Sequence, residues 1–209
     1  MEKGVKKNIF PTPVYVGNVD KRHIDHELSL INLHTQVQRV GIFSNQIWAC
    51  DVMTGHNTNL TKEKDAWVAA FKQAIEPCVT EYIMSIRESS KEFKYFFDIP
   101  WINIYQKHDY QEQHHHAGGE DGIGNVLSYA YMHKLPENGG RFFFVNNNSY
   151  ANYVGQASCF VKTADLRYYP DVQEGSIVIF PSWLSHMVEP NRSEEERITI
   201  SGNIYFLEK

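Results

Sequence analysis

The chain has 209 residues, 42% hydrophobic, 13% aromatic and 22% charged, with a net charge of -5. That length suits one domain (1–209) with a substantial core, and no apolar run approaches the ~20 residues of a membrane-spanning helix. Scattered lysines and arginines form no basic stripe, which argues against direct nucleic-acid binding. Cys50, Cys78 and Cys159 lie too far apart for a disulfide framework or a zinc knuckle.

The opening "MEKGVKKNIFPTP" is positively charged, but no apolar segment follows it, so the expectation is a cytoplasmic protein without a secretory signal. Alternating β-branched and aromatic residues in "NIFPTPVYVGNVD" predict a short edge strand. Over residues 20–40 the apolar positions Ile24, Leu28, Ile31 and Val37 recur at helical spacing behind Asp20 as N-cap. A second helix is expected from Thr61, its N-cap, to about Glu88, with Trp67, Ala70, Phe71 and Ala74 on one face and a kink at Pro77.

From about residue 93 the period changes to two. "FKYFFDIPWINIYQ", "NVLSYAYMHK", "GGRFFFVNN", "GSIVIFPSWLSHMV" and "RITISGNIYF" read as strands between Gly, Pro and Asn turns. The predicted fold is mainly β with N-terminal helices: a jelly-roll barrel of the double-stranded β-helix kind, with two helices (within residues 1–92) on the outer face of one sheet and the barrel core in 93–209. The weakly patterned stretch 145–171 and the loop "AGGEDGIGN" are expected to meet substrate. The aromatic strand "YFFDIPWINIY" would tolerate a dimer edge.

Three adjacent histidines stand in "YQEQHHHAGGEDG". If the strand from Trp101 runs through them, His114 and His116 project together and His115 points opposite. A further ligand has to come from elsewhere, and His186, at the end of an apolar strand, is preferred to His133, which precedes a turn. On the strand opened by Arg197, the residues Arg197, Thr199, Ser201 and Asn203 share one face, and Ile198, Ile200 and Ile204 the other. With helices over the isoleucines, the polar row points into the barrel. An arginine there needs an anion, and its planar fork fits a carboxylate. An external dicarboxylate would supply one; the plainer alternative is an ion pair with Glu194, Glu195 or Glu196.

Here the chain resembles the Fe(II)- and 2-oxoglutarate-dependent oxygenases, over most of its length. It is most similar to small members frequent in cyanobacterial phages (cyanophages), which open like "IFPTPVY" and end like "FPSWLSHMVEPN" and "ERITISGNI". Tyr105 lies nine residues before His114, as a tyrosine does in prolyl-hydroxylase-like members, and "YAYMHKLPENGG" mimics their "YYLNK" strand ahead of a double glycine. The resemblance implies a 2-oxoglutarate-dependent non-haem iron dioxygenase, a hydroxylase releasing succinate and CO2. It implies iron on His114 and His186, and the distal 2-oxoglutarate carboxylate on Arg197 and Thr199, with Tyr131 helping to hold it and Tyr105 nearby. 2-Oxoglutarate and O2 are then the co-substrates. The chain departs from the family's His-x-Asp or His-x-Glu at one position, filled by His116, so the third iron ligand is His116 or a carboxylate from Asp121, Glu120 or Glu112. A three-histidine dioxygenase working without a keto acid and a non-catalytic jelly-roll binding module are the rival readings.

Overall fold

The computed structural model describes residues 12–41, 50–56, 58–87, 93–120, 123–146 and 166–208. Strand β1 (Tyr15–Asn18) lies at a sheet edge, as its short alternating pattern predicts. Helix α1 (Lys21–Ser29) starts where Asp20 accepts the Arg22 backbone N–H at 3.2 Å. It stops well short of residue 40. Asn32 accepts the N–H of His34 and begins a separate 3-10 turn, Leu33–Gln36, and the chain then extends into β2 (Gln38–Val40). A short polar side chain offering the backbone a local bond outcompetes a continuing helix at that point.

After β3 (Val52–Thr54), helix α2 (Ala66–Ile86) begins at Asp65 rather than Thr61, whose hydroxyl donates instead to Gln36 Oε1 at 3.3 Å. It runs through Pro77 and buries Trp67, Val68, Phe71, Ile75 and Val79. Then come β4 (Phe93–Phe97), β5 (Trp101–Tyr105), β6 (Gln111–His114), β7 (Gly119–Glu120), β8 (Ile123–Lys134), β9 (Phe142–Val145), β10 (Arg167–Tyr168), β11 (Ser176–Pro181), β12 (His186–Val188) and β13 (Arg197–Glu208).

Among the described residues these strands form two antiparallel sheets. The larger runs β1-β11-β8-β13-β5-β3-β2, with β4 also on β13 and β7 on β8; the smaller runs β10-β9-β12-β6. Both helices cover the outer face of the larger sheet, where Ile24, Leu28, Phe71 and Ile75 meet Ile102, Ile104, Ile177 and Ile200. The second core lies on its other face, where Tyr105, Met132 and Phe180 meet Phe142, Phe144 and Val188 of the smaller sheet. This is the mainly β arrangement of two packed antiparallel sheets, one of them helix-covered, expected of the alternating strands. No helix of the described residues is long and apolar enough to cross a membrane.

Strand β13 divides as its sequence predicts. Ile198, Ile200 and Ile204 enter the helix-side core, and Arg197, Thr199, Ser201 and Asn203 are buried on the opposite face. Period-two alternation therefore places four polar side chains in a row between the sheets.

Candidate functional site

The smaller sheet gathers the histidines. His114 ends β6 and His186 begins β12, and the two are direct cross-strand partners. His116 follows past the end of β6, tethered by its backbone N–H to the Ser182 carbonyl at 2.8 Å, while His115 is exposed. The expected strand from Trp101 through this run is not continuous. The chain turns at 106–110, with His108 at φ 74°, and crosses from one sheet to the other. His114 and His116 nevertheless converge with His186, and one ligand nitrogen from each lies within 4.8 Å of the others.

Hydrogen bonds set the direction of each ring. Nδ1 of His114 lies 2.7 Å from the Glu112 carbonyl and that of His186 2.9 Å from the Leu184 carbonyl. Nδ1 of His116 lies 3.0 Å from Asn203 Oδ1. A carbonyl oxygen only accepts, so each Nδ1 carries the proton and each Nε2 the lone pair. Burial, more than mutual repulsion, holds all three imidazoles below the ordinary histidine range: His116 falls to about 3 and His186 well below its usual value. Neutral rings with outer-shell acceptors are the state in which histidine binds a metal. Among the described residues no carboxylate joins this group. Glu112 lines the cavity outside it, Glu120 is described through its backbone alone, and Asp121 lies outside the described residues.

Arg197 lies deeper in the same barrel and is 1% exposed. The three neighbouring glutamates are engaged elsewhere: Glu194 with Lys107, Glu195 with Lys134 at 2.9 Å, and Glu196 with His34 at 3.2 Å. The guanidinium instead lies 4.9 Å from the Tyr105 ring centre, and its Nη2 meets the Met132 sulfur at 3.6 Å. Among the described residues its Nε and Nη1 are buried without a hydrogen-bond partner. Thr199 is buried beside it, 3.4 Å from Asn103 Nδ2, and the Tyr105 hydroxyl donates to Gln111 Oε1 at 2.9 Å.

Tyr131 stands apart, which corrects the role expected for it. It packs in the helix-side core with its ring 5.6 Å from that of Phe71, on the face of β8 opposite Ala130 and Met132. A one-residue offset on a strand sends a side chain to the other face, so Met132 takes the place beside Arg197. His133 also sits away from the triad, 3.6 Å from Asp25.

A narrow cleft lined by Tyr105, Gln111, Phe142, Phe180 and Thr199 joins the histidines to Arg197. On their outer side a 360 Å³ cavity is walled by His56, Trp101, Glu112, Ala117 and Asn203. Gln111, Asn203, Trp101 and His56 were not singled out from sequence as site residues. The first two carried a signal nonetheless: Asn203 shares the parity of Arg197, and Gln111 lies on the strand that delivers His114.

A model of the family described as "Putative 2OG-Fe(II) oxygenase" matches residues 100–203, the stretch that holds all three histidines and Arg197. Among curated proteins none matches the chain by sequence. Solved structures do match by fold. A viral collagen prolyl hydroxylase from Paramecium bursaria Chlorella virus-1, in complex with 2-oxoglutarate, is similar at a TM-score of 0.56 and 12% identity, over 92% of this chain and 95% of that one. A prolyl hydroxylase from Trichoplax adhaerens, in complex with a hypoxia-inducible-factor peptide, is similar at 0.57 and 12%, over 93% and 83%. A non-haem α-ketoglutarate-dependent epimerase of nogalamycin biosynthesis is similar at 0.59 and 14%, over 93% and 76%. At these identities the structural likeness speaks for the fold, and the family match adds the chemistry. The chain belongs to the Fe(II)- and 2-oxoglutarate-dependent oxygenase superfamily.

Proposed function

We propose that residues 1–209 act as one cytoplasmic domain hydroxylating a C–H bond, with His114, His116 and His186 as iron ligands and Arg197, Thr199 and Tyr105 holding the distal carboxylate of 2-oxoglutarate. The observation that carries this reading is the Arg197 guanidinium, buried with Nε and Nη1 unpartnered among the described residues and lining the cleft that the histidines also line. A buried unpaired cation is costly, and a carboxylate matching its fork removes the cost. A three-histidine dioxygenase without a keto acid, or a binding module without iron, would leave that cation uncompensated.

When bound, iron with 2-oxoglutarate and O2 supplies an oxidant able to take hydrogen from an unactivated C–H bond, with succinate and CO2 as co-products. The chain's own contribution is positional. Arg197 neutralises one end of the co-substrate, and the Thr199 hydroxyl can donate to the same carboxylate. Tyr105, whose hydroxyl burial pushes up to about 12, stays protonated and can exchange its acceptor from Gln111 to the carboxylate. Phe142, Phe180 and Val188 keep water from the cleft. Trp101 and His56, with rings 4.6 Å apart, wall the outer cavity where the target carbon would stand.

Anaerobic titration of the metal-free protein with Fe(II) and then 2-oxoglutarate tests this through the visible metal-to-ligand charge-transfer band. The expected result is a band in wild type that disappears in His116→Ala and weakens in Arg197→Ala. Iron binding without a band would instead favour the keto-acid-independent dioxygenase, and no iron binding the non-catalytic module.

A further inference from the structure

The third histidine is held differently from the other two. His114 and His186 each face the backbone carbonyl two residues earlier, an acceptor that any sequence would supply there. His116 lies beyond the end of its strand and depends on a side chain 87 residues away, the Oδ1 of Asn203 at 3.0 Å. The same oxygen accepts the Ser128 hydroxyl at 2.8 Å. Asn203 and Ser128 are cross-strand partners on β13 and β8, 7% and 0% exposed, so the sheet register itself brings them together.

With Oδ1 turned to both the Ser128 hydroxyl and the ring, the amide accepts from His116 Nδ1 and so decides which ring nitrogen keeps the proton. The opposite orientation would face an amide N–H toward the imidazole, which would then carry its proton on Nε2 and present that proton to the other two rings. A carboxylate in this position would bind metal from either oxygen and need no such control. An imidazole has one usable nitrogen, and its tautomer is decided by what the other nitrogen meets.

The geometry points to Asn203, braced by Ser128, as the positioning residue that makes His116 a metal ligand by holding the proton on its Nδ1. The assignment rests on the reading of His116 as the third ligand. β13 then serves both ends of the site, Arg197 toward the co-substrate and Asn203 toward the metal.

Co(II), whose d–d absorption reports its coordination, is the probe. Its dissociation constant is measured for wild type, Asn203→Ala, Asn203→Asp, Ser128→Ala and His116→Ala, with the imidazole tautomer of His116 read from long-range 1H–15N spectra of the metal-free protein. Loss of an outer-shell partner typically weakens metal binding roughly 10- to 100-fold. Asn203→Ala is expected to fall in that range and to lose the Nδ1–H tautomer, Ser128→Ala to fall a few-fold, and Asn203→Asp, which keeps the acceptor, to restore both affinity and tautomer. Wild-type affinity and tautomer in Asn203→Ala would overturn the assignment. If Asn203→Ala folds poorly, Asp no better than Ala, or Ser128→Ala without effect on the tautomer, would overturn it equally. His116→Ala separates the two layers: unchanged Co(II) affinity there removes the three-histidine reading itself, whereas weakening there with no effect at Asn203 removes only this inference.

Discussion

Replacing Arg197 with methionine should make the ligand-free protein more stable while abolishing its response to 2-oxoglutarate. Among the described residues Nε and Nη1 are buried without partners, and each such group costs about 1–3 kcal/mol. The contact with the Tyr105 ring returns about 0.5–2 kcal/mol. Methionine of similar length would pack against Met132, Tyr105 and Phe142, and exchanges of buried charge for apolar side chains of like volume commonly gain about 1–4 kcal/mol. The net expectation is about 2 kcal/mol, a rise in Tm of roughly 4–8 °C for a domain of this size. Calorimetry of the metal-reconstituted proteins with 2-oxoglutarate at roughly 100 times the wild-type Kd supplies the other half. Wild type should gain about 2.7 kcal/mol from the ligand and Arg197→Met nothing. A lower Tm for Arg197→Met without ligand would refute the reasoning, because it would mean that the guanidinium stabilises the barrel as it stands.

The two tyrosines should separate cleanly. Tyr105→Phe is expected to weaken 2-oxoglutarate binding about tenfold by loss of one hydrogen bond, whereas Tyr131→Phe, whose hydroxyl is buried without a partner among the described residues, should leave it unchanged and keep or raise stability; equal losses in both would contradict the strand parity. His116→Asp restores the commonest non-haem iron ligand set and should keep Co(II) binding within about tenfold, while His186→Ala loses more than about 100-fold, as a titration of each would record. Because burial depresses the three imidazoles, the unfolded chain takes up protons below about pH 6.5 and the folded, metal-free chain does not. Its stability should therefore be full above that pH and decline as the pH falls toward about 3, and urea unfolding that is flat from pH 7 to pH 4.5 would count against neutral buried rings. Gly140 has φ 79°, and a Cβ there would overlap the Glu189 carbonyl oxygen, so Gly140→Ala should cost about 2 kcal/mol or more in a denaturation curve.

What could be read from the sequence was whatever depends on local period. β13 sorted itself by alternation, isoleucines to the helices and polar residues to the interior, and Asp20 marked the start of α1. His114, His116 and His186 could be named as candidates because two lie two residues apart and the third follows an apolar run, although that run proves to be two strands of different sheets, with His186 opening the second. The misses occurred where a long-range partner or a single-residue shift decides. Tyr131 and Met132 are adjacent, and no pattern in "YAYMHK" tells which of them faces Arg197; pairing with β11 and β13 does. The 106–110 crossing rests on His108 at positive φ, held by its backbone N–H to the Asn191 carbonyl at 2.6 Å, a residue 83 positions away by sequence number. The pairing of Asn203 with His116 depends on both sheets being in place. Thr61 had the chemistry of an N-cap, but Gln36 claimed its hydroxyl.

The division of the site between the layers has a mechanical consequence. The proposed metal ligands belong to the smaller sheet or to the chain just leaving it, and the groups that answer them, Asn203 and Arg197, belong to the larger. Bound metal and co-substrate would together form a clasp across the sandwich. Loading the site would add that tie to those the layers already share, the His116–Asn203 and Tyr105–Gln111 hydrogen bonds and the apolar contact of Phe142, Phe144 and Val188 with Met132 and Phe180, and stripping it would loosen the four-stranded layer.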